Sequence, residues 1–147
     1  MITLEKTDDF ENVLQVVGCF LEHEGKILFL KRTTNKPESG VWGAPGGKVD
    51  PHEAGNIVQA IVREVFEETR IILDDKKLQQ VGVFYVIHPN EKYFVYTKYR
   101  YVLDEKPEVV LREAEHTDLI WVTPTESLQL PLVLHEDFTI KHAYGIE

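Results

Sequence analysis

Apolar and polar positions fall into blocks along this chain, and each block has its own period. Residues 13–22 are rich in apolar and β-branched side chains and predict a strand. Glu22-His23-Glu24-Gly25 makes a turn, and residues 26–31 return as a second strand, giving a hairpin. Residues 1–11 are mixed and charged, with Ile2 and Leu4 fitting a short edge strand or a loose end. Residues 32–40 are polar, hold Pro37 and Gly40, and read as a loop. The period then changes. Ile57, Val58, Ile61, Val62, Val65 and Phe66 recur at helical spacing and form a broad apolar face. Asn56 is a good N-cap for that helix, with Gln59 at the N3 position of a capping box. Leu73 to Lys77 is a connection, residues 79–88 predict a strand, and Pro89-Asn90-Glu91 a turn. Residues 92–103 predict a long strand in which Tyr93, Val95, Thr97, Tyr99 and Tyr101 alternate with Phe94, Tyr96, Lys98 and Arg100. A turn at residues 104–107 leads to a short apolar run at 109–111 and a strand at 119–122. Residues 124–128 predict a short helix capped by Thr123 or Thr125, and residues 134–144 a last helix.

Strands on both sides of one central helix, followed by a closing helix, predict an α/β protein with a mixed β-sheet sandwiched between helices. A length of 147 residues suits one domain, 1–147, with a proper core. Apolar residues at 43% exclude a disordered chain. The formal charge of -9 argues against a large nucleic-acid partner, which needs a basic surface to meet phosphates. It leaves room for a small nucleotide whose charge a metal screens. Cys19 is the one cysteine; it lies in an apolar run and reads as a buried core thiol. There is no apolar stretch of membrane-spanning length and no leader pattern at the N-terminus, so no membrane is expected and a cytoplasmic protein is the default. Nothing in the sequence specifies an oligomeric state.

The candidate chemistry lies on the central helix. Glu64, Glu67 and Glu68 stand at i, i+3 and i+4, so three carboxylates share one face about a turn apart. Like charges at that spacing repel, and a hard divalent cation, which takes oxygen ligands, removes the conflict. The plain alternative is a solvated helix face with Arg63 and Glu67 as an i, i+4 pair. Ahead of the helix, residues 41–47 read VWGAPGG, where Pro45 stiffens the approach and the glycines let backbone come close to an ion or phosphate.

This segment resembles the signature of the Nudix hydrolases, which reads G, five residues, E, seven residues, REU, one residue, EE, one residue, GU, with U aliphatic. Gly47 and Glu53, with five residues between them, fit its first part, and Arg63-Glu64-Val65, Glu67-Glu68 and Ile71 fit its second. The sequence departs from it twice. Nine residues rather than seven separate Glu53 from Arg63, an excess that falls at Ala54-Gly55 because Asn56 keeps the usual place of the helix cap. Arg70 stands where the family has a glycine. If the backbone is unchanged, a left-handed arginine there costs about 1 kcal/mol.

The resemblance implies the Nudix fold and, within the family, a MutT-like pyrophosphohydrolase acting on a nucleoside diphosphate linked to X. Glu64, Glu67 and Glu68 would hold one to three Mg2+ ions (or Mn2+), joined by the carbonyl of Gly47. Glu115, six residues before Trp121, is the further ligand or general base, with Glu113 as fallback and His116 as an alternative group to orient water. Glu64 and Glu115 both remain candidates for the base. Glu53 would brace Arg63 and so hold the loop against the helix. Lys31, Arg32, Lys36 and Lys48 are candidate substrate contacts, and Trp42 packs at the cleft rim or stacks on a base. The favoured partner is a small-molecule nucleoside triphosphate, cleaved to monophosphate and pyrophosphate. The alternatives are an ADP-ribose or nucleotide-sugar pyrophosphatase, or a non-catalytic nucleotide-binding Nudix module.

Overall fold

The computed structural model describes residues 1–33, 39–90 and 92–147; Lys36 and Pro37 of the expected loop and Glu91 of the expected turn lie outside them. The strands are β1 (Ile2–Thr3), β2 (Leu14–His23), β3 (Lys26–Arg32), β4 (Trp42–Gly43), β5 (Gly46–Lys48), β6 (Gln79–Ile87), β7 (Tyr93–Val102) and β8 (His116–Val122). The helices are α1 (Ile57–Thr69), α2 (Pro124–Ser127) and α3 (Glu136–Tyr144). The strands form a mixed sheet in the order β1-β6-β7-β2-β3-β4, with β5 beside β2 and β8 beside β3. Among the paired strands of the described residues, β2 and β7 run parallel and the other pairs are antiparallel.

Strand periodicity builds a core on each face. Val17, Cys19 and Leu21 of β2, with Leu28 and Leu30 of β3, point to the side where α1 lays Ala60, Ile61 and Val65. The intervening Phe20, Ile27 and Phe29 point to the other side, where they meet Ile140 of α3. Both parities are therefore apolar, which marks a sheet covered on two faces. The expected sandwich is what forms. Cys19 is fully buried, and burial pushes its thiol up to about 12, against the opposing pull of Lys98. Among the described residues no helix is long and apolar enough to cross a membrane.

The hairpin closes on Glu24 and Gly25, both with positive φ (49° and 77°), as a two-residue turn needs to match the twist of its strands. Beyond that turn β3 leaves β2, pairing with it only at Glu22–Ile27 and His23–Lys26. β5 takes the vacated edge, pairing Gly46 with Gly18 and Gly47 with Val17. This splits the sheet and sets the glycine pair against the N-terminal half of β2.

Two boundaries differ from expectation by more than one residue. β8 begins at His116 rather than 119, because β3 extends past a bulge at Lys31/Arg32 and pairs Arg32 with His116. The last helix begins at Glu136 rather than 134, because His135 is left-handed (φ 70°) and breaks the helical path. α2 takes Thr123 as its cap, in a capping box with Glu126 (3.0 and 3.1 Å).

Candidate active site

α1 supplies the site because its cap fixes where it starts. Asn56 Oδ1 accepts from the Gln59 amide (3.4 Å), and the apolar stripe then presses one face onto the sheet. The carboxylates emerge along the edge of that stripe, facing β5. Glu68 is buried and its Oε1 accepts from the Gly46 amide (2.7 Å). Glu64 lies against Gly47 so closely that a Cβ on that glycine would stand 2.5 Å from the carboxylate. The glycine pair thus does two jobs: Gly46 lets β5 approach β2, and Gly47 leaves room for Glu64.

A cavity of about 310 Å³ opens where these groups meet. Glu64, Glu68, Glu115 and His116 line it together with Arg32 and Gly46–Lys48. His116 Nδ1 is 3.4 Å from Glu68 Oε2. Donor atoms of Glu68, Glu115 and His116 all lie within 4.8 Å of one another, a spacing that suits one cation. Arg32 adds a buried Nε with no hydrogen-bond partner among the described residues.

Arg63 organises the rim. Its Nε and Nη2 donate to the two oxygens of Glu53 (2.9 Å each), while Nη1 donates to Glu64 (3.0 Å) and Glu67 (2.9 Å). Nη2 also reaches the Lys48 carbonyl (3.1 Å), tying the loop to the helix. The Arg63 guanidinium holds the buried Glu53 carboxyl down at about 2, against the upward pull of burial. Burial moves the other acids the opposite way. Glu68 is pushed up to about 8, with Glu64 and Glu115 adding to the shift and the Gly46 amide opposing it. Glu64 is also raised, by burial first, with Arg63 opposing.

The chain matches the NUDIX domain model over residues 13–143. It belongs to the Nudix hydrolase family. It is 34% identical over 122 residues to the CTP pyrophosphohydrolase of Escherichia coli (strain K12), covering 82% of this chain and 83% of that one. The MutT NUDIX hydrolase from Burkholderia pseudomallei superposes with a TM-score of 0.76 at 28% identity, over 90% of this chain and 98% of the other. The NUDIX domain of Shewanella oneidensis NrtR, solved with ADP ribose, shares the fold at 22% identity, with a TM-score of 0.76 over 96% and 92% of the two chains.

Within this Nudix domain the expected residues fall into three groups. Glu64, Glu68, Glu115, Gly47, Arg32 and Lys48 all line the cavity. Glu67 stands beside it, its carboxylate taken by Arg63 and, at 3.4 Å, by Arg112. Trp42 packs against the Phe20–Phe29 side of the core, with Lys31 Nζ 5.9 Å from its ring, and lines neither this cavity nor the one beside it. The Ala54-Gly55 excess is an exposed turn following a single 3-10 turn at Pro51–Glu53, and it leaves the Glu53–Arg63 contact intact. Arg70 is left-handed (φ 65°), donating its amide to the Phe66 carbonyl (2.8 Å) in the conformation a glycine takes more easily.

Sequence reasoning missed Lys98, Glu136 and Tyr96. Lys98 and Glu136 form a fully buried ion pair (2.5 Å), and Glu136 and Tyr96 line a second cavity joined to the first. The one available signal was Lys98 sitting inside a strand dense in aromatic residues.

Proposed function

We propose that this protein hydrolyses nucleoside triphosphates to monophosphate and pyrophosphate with a divalent cation, Mg2+ or Mn2+. The observation that carries this reading is the convergence of Glu64, Glu68, Glu115 and His116 on one cavity that Gly46, Gly47 and Arg32 also line. The likeness to a CTP pyrophosphohydrolase supports it.

The donor set fits a hard cation. Oxygen donors predominate, burial raises the proton affinities of Glu68 and Glu64, and Gly47 leaves the space that Glu64 occupies. Glu64, Glu68 and Glu115 would hold it, with the Gly47 carbonyl as a further donor and Glu67 at the edge. Bound there, the cation would screen phosphate charge and acidify water.

The chain's own groups do the rest. Arg32 and Lys48, which line the same cavity, meet phosphate oxygens. Water attacks phosphorus and passes its proton to Glu64 or Glu115, each of which lines the cavity. The bridging P–O bond between the α- and β-phosphates breaks, and nucleoside monophosphate and pyrophosphate leave. Arg63 acts through others: it fixes Glu64 and Glu67 and is itself fixed by Glu53.

The test is a panel of nucleoside triphosphates, ADP-ribose and nucleotide sugars incubated with Mg2+, with products separated by chromatography. Monophosphate plus pyrophosphate from a triphosphate, lost in E64Q or E115Q, is the expected result. Cleavage confined to ADP-ribose or a nucleotide sugar would overturn it.

A further inference from the structure

Glu67 is shared between two arginines. Its Oε1 accepts from Arg63 Nη1 (2.9 Å) and its Oε2 from Arg112 Nη1 (3.4 Å). The same Arg112 nitrogen lies 3.6 Å from Glu115 Oε1, in the turn that leads into β8. Opposite charges therefore alternate along Glu53, Arg63, Glu67, Arg112 and Glu115. The series runs by way of α1 and joins the turn before that helix to the turn before β8. Its last member, Glu115, lines the acidic cavity, whereas Arg112 is not among the described residues that line it.

Backbone and side chain of Arg112 act on the same turn. Its carbonyl accepts from the Glu115 and His116 amides (2.9 and 3.0 Å), so the residue closes the turn as well as reaching across it. Two residues earlier the Val110 amide donates to the Thr69 carbonyl at the end of α1 (3.0 Å). The segment thus meets α1 through backbone at Val110 and through the Arg112 side chain at Glu67. The Thr33 amide, donating to the Glu115 carbonyl (3.0 Å), ties the turn to β3 as well.

Exposure separates two roles for these ion pairs. The side chains of Arg112, Glu67 and Glu115 are 47%, 35% and 27% exposed. Pairs this open to water add little stability. A nitrogen shared by two carboxylates can still fix where each one stands. Glu115 faces like charges on α1, and their repulsion favours turning it away from the cavity.

Resting on the hydrolase reading above, we infer that Arg112 is a positioning residue: anchored on Glu67, it holds Glu115 at the cavity against the acids of α1. Its charge belongs to the chain, so Glu115 is placed before any cation or nucleotide arrives. Arg112 acts through Glu115 rather than on the substrate. Its loss should appear in turnover and not in affinity.

Hydrogen exchange in the metal-free chain tests the placement without turnover. R112A should speed exchange of the Glu115 and His116 amides roughly fivefold or more, while the Val110 amide changes less than about twofold. The melting temperature should move by no more than about 2 °C. With saturating Mg2+, R112A should lower kcat for triphosphate hydrolysis about tenfold and leave KM within about twofold. One nitrogen makes both contacts, so a lysine ammonium can stand in for it. R112K should therefore recover kcat to within about threefold of wild type, whereas R112Q, which lacks the charge, should behave like R112A. In an E67Q background R112A should lower kcat by less than about a further twofold, because the anchor is already lost.

Unchanged exchange at Glu115 and His116 in R112A would overturn the inference. So would a raised KM with kcat retained, an R112Q variant as active as R112K, or losses from R112A and E67Q that multiply. If no triphosphate is hydrolysed by the wild-type chain, the hydrolase reading fails on its own. The exchange rates still decide whether Arg112 holds the turn.

Discussion

Glu53 and Arg63 face each other through two parallel hydrogen bonds of 2.9 Å, Nε to Oε2 and Nη2 to Oε1. The carboxylate is buried, while the guanidinium is 25% exposed and also holds Glu64 and Glu67. Removing the carboxylate frees the arginine to swing away and loosens both glutamates. E53A should destabilise the fold by about 2–4 kcal/mol, below the full cost for a completely buried pair because water reaches Arg63. Urea unfolding checks this. The folded-state value of about 2 lies below the ordinary 4.5, so Glu53 contributes stability that is full above pH 4.5 and lost as pH falls toward 2. E53Q should therefore flatten the loss of stability below pH 4.5.

The glycine pair should separate stability from activity. A Cβ at position 46 would stand 2.2 Å from the Val17 carbonyl oxygen and 2.8 Å from the Gly18 Cα, so G46A must push β5 off β2. That should cost at least about 3 kcal/mol in urea unfolding. The three atoms nearest a Cβ at position 47 all belong to the Glu64 carboxylate, which swings on a flexible side chain. G47A should stay within about 1 kcal/mol of wild type, yet lower kcat at least about tenfold, because a displaced carboxylate no longer meets the reacting groups in line. Equal effects of the two variants on stability would sink this division.

The central helix was legible because one period runs unbroken from Ile57 to Phe66 and Asn56 caps it, so the face carrying Glu64, Glu67 and Glu68 followed from spacing alone. The Glu53–Arg63 contact and the place of Glu115 came only through the family resemblance, since ten residues in one case and an intervening sheet in the other hide the proximity. The Lys98–Glu136 pair was illegible. Strand alternation allowed Lys98 to face solvent, and only the docking of α3, 38 residues later, covers it. The left-handed His135 shifted the helix start so that Glu136 turned inward, and apolar periodicity carries no sign of such a break.

Arg70 tests the cost of the departure from the family's glycine. Its left-handed backbone strains any residue with a Cβ, but its guanidinium lies 5.1 Å from the Phe66 ring centre. The first costs about 1 kcal/mol and the second returns about 0.5 kcal/mol at an exposed site. R70G should therefore raise stability by roughly 0.5 kcal/mol, and R70A should lower it by a similar amount, since alanine keeps the strain and loses the ring contact. In an F66A background R70G should gain more, near 1 kcal/mol. Thermal unfolding of the four variants checks the signs; a stabilising R70A would show that the backbone relaxes instead.

Glu68 links metal binding to pH. In the metal-free chain its carboxyl titrates near 8 rather than 4.5, raised by burial first and then by Glu64 and Glu115. Between those values the folded state holds a proton that the unfolded state has released, so stability falls as pH rises. The contribution is full below pH 4.5 and gone above about 8, and Glu64 acts in the same direction. A divalent cation competes with that proton, so stabilisation by Mg2+ should grow with pH up to about 8. E68Q should remove most of both effects: its metal-free melting temperature at pH 8 should exceed that of wild type, and Mg2+ should raise it little. A wild-type metal-free chain that gains stability from pH 5 to 8, or an E68Q chain with the full Mg2+ response, would remove Glu68 from the metal site.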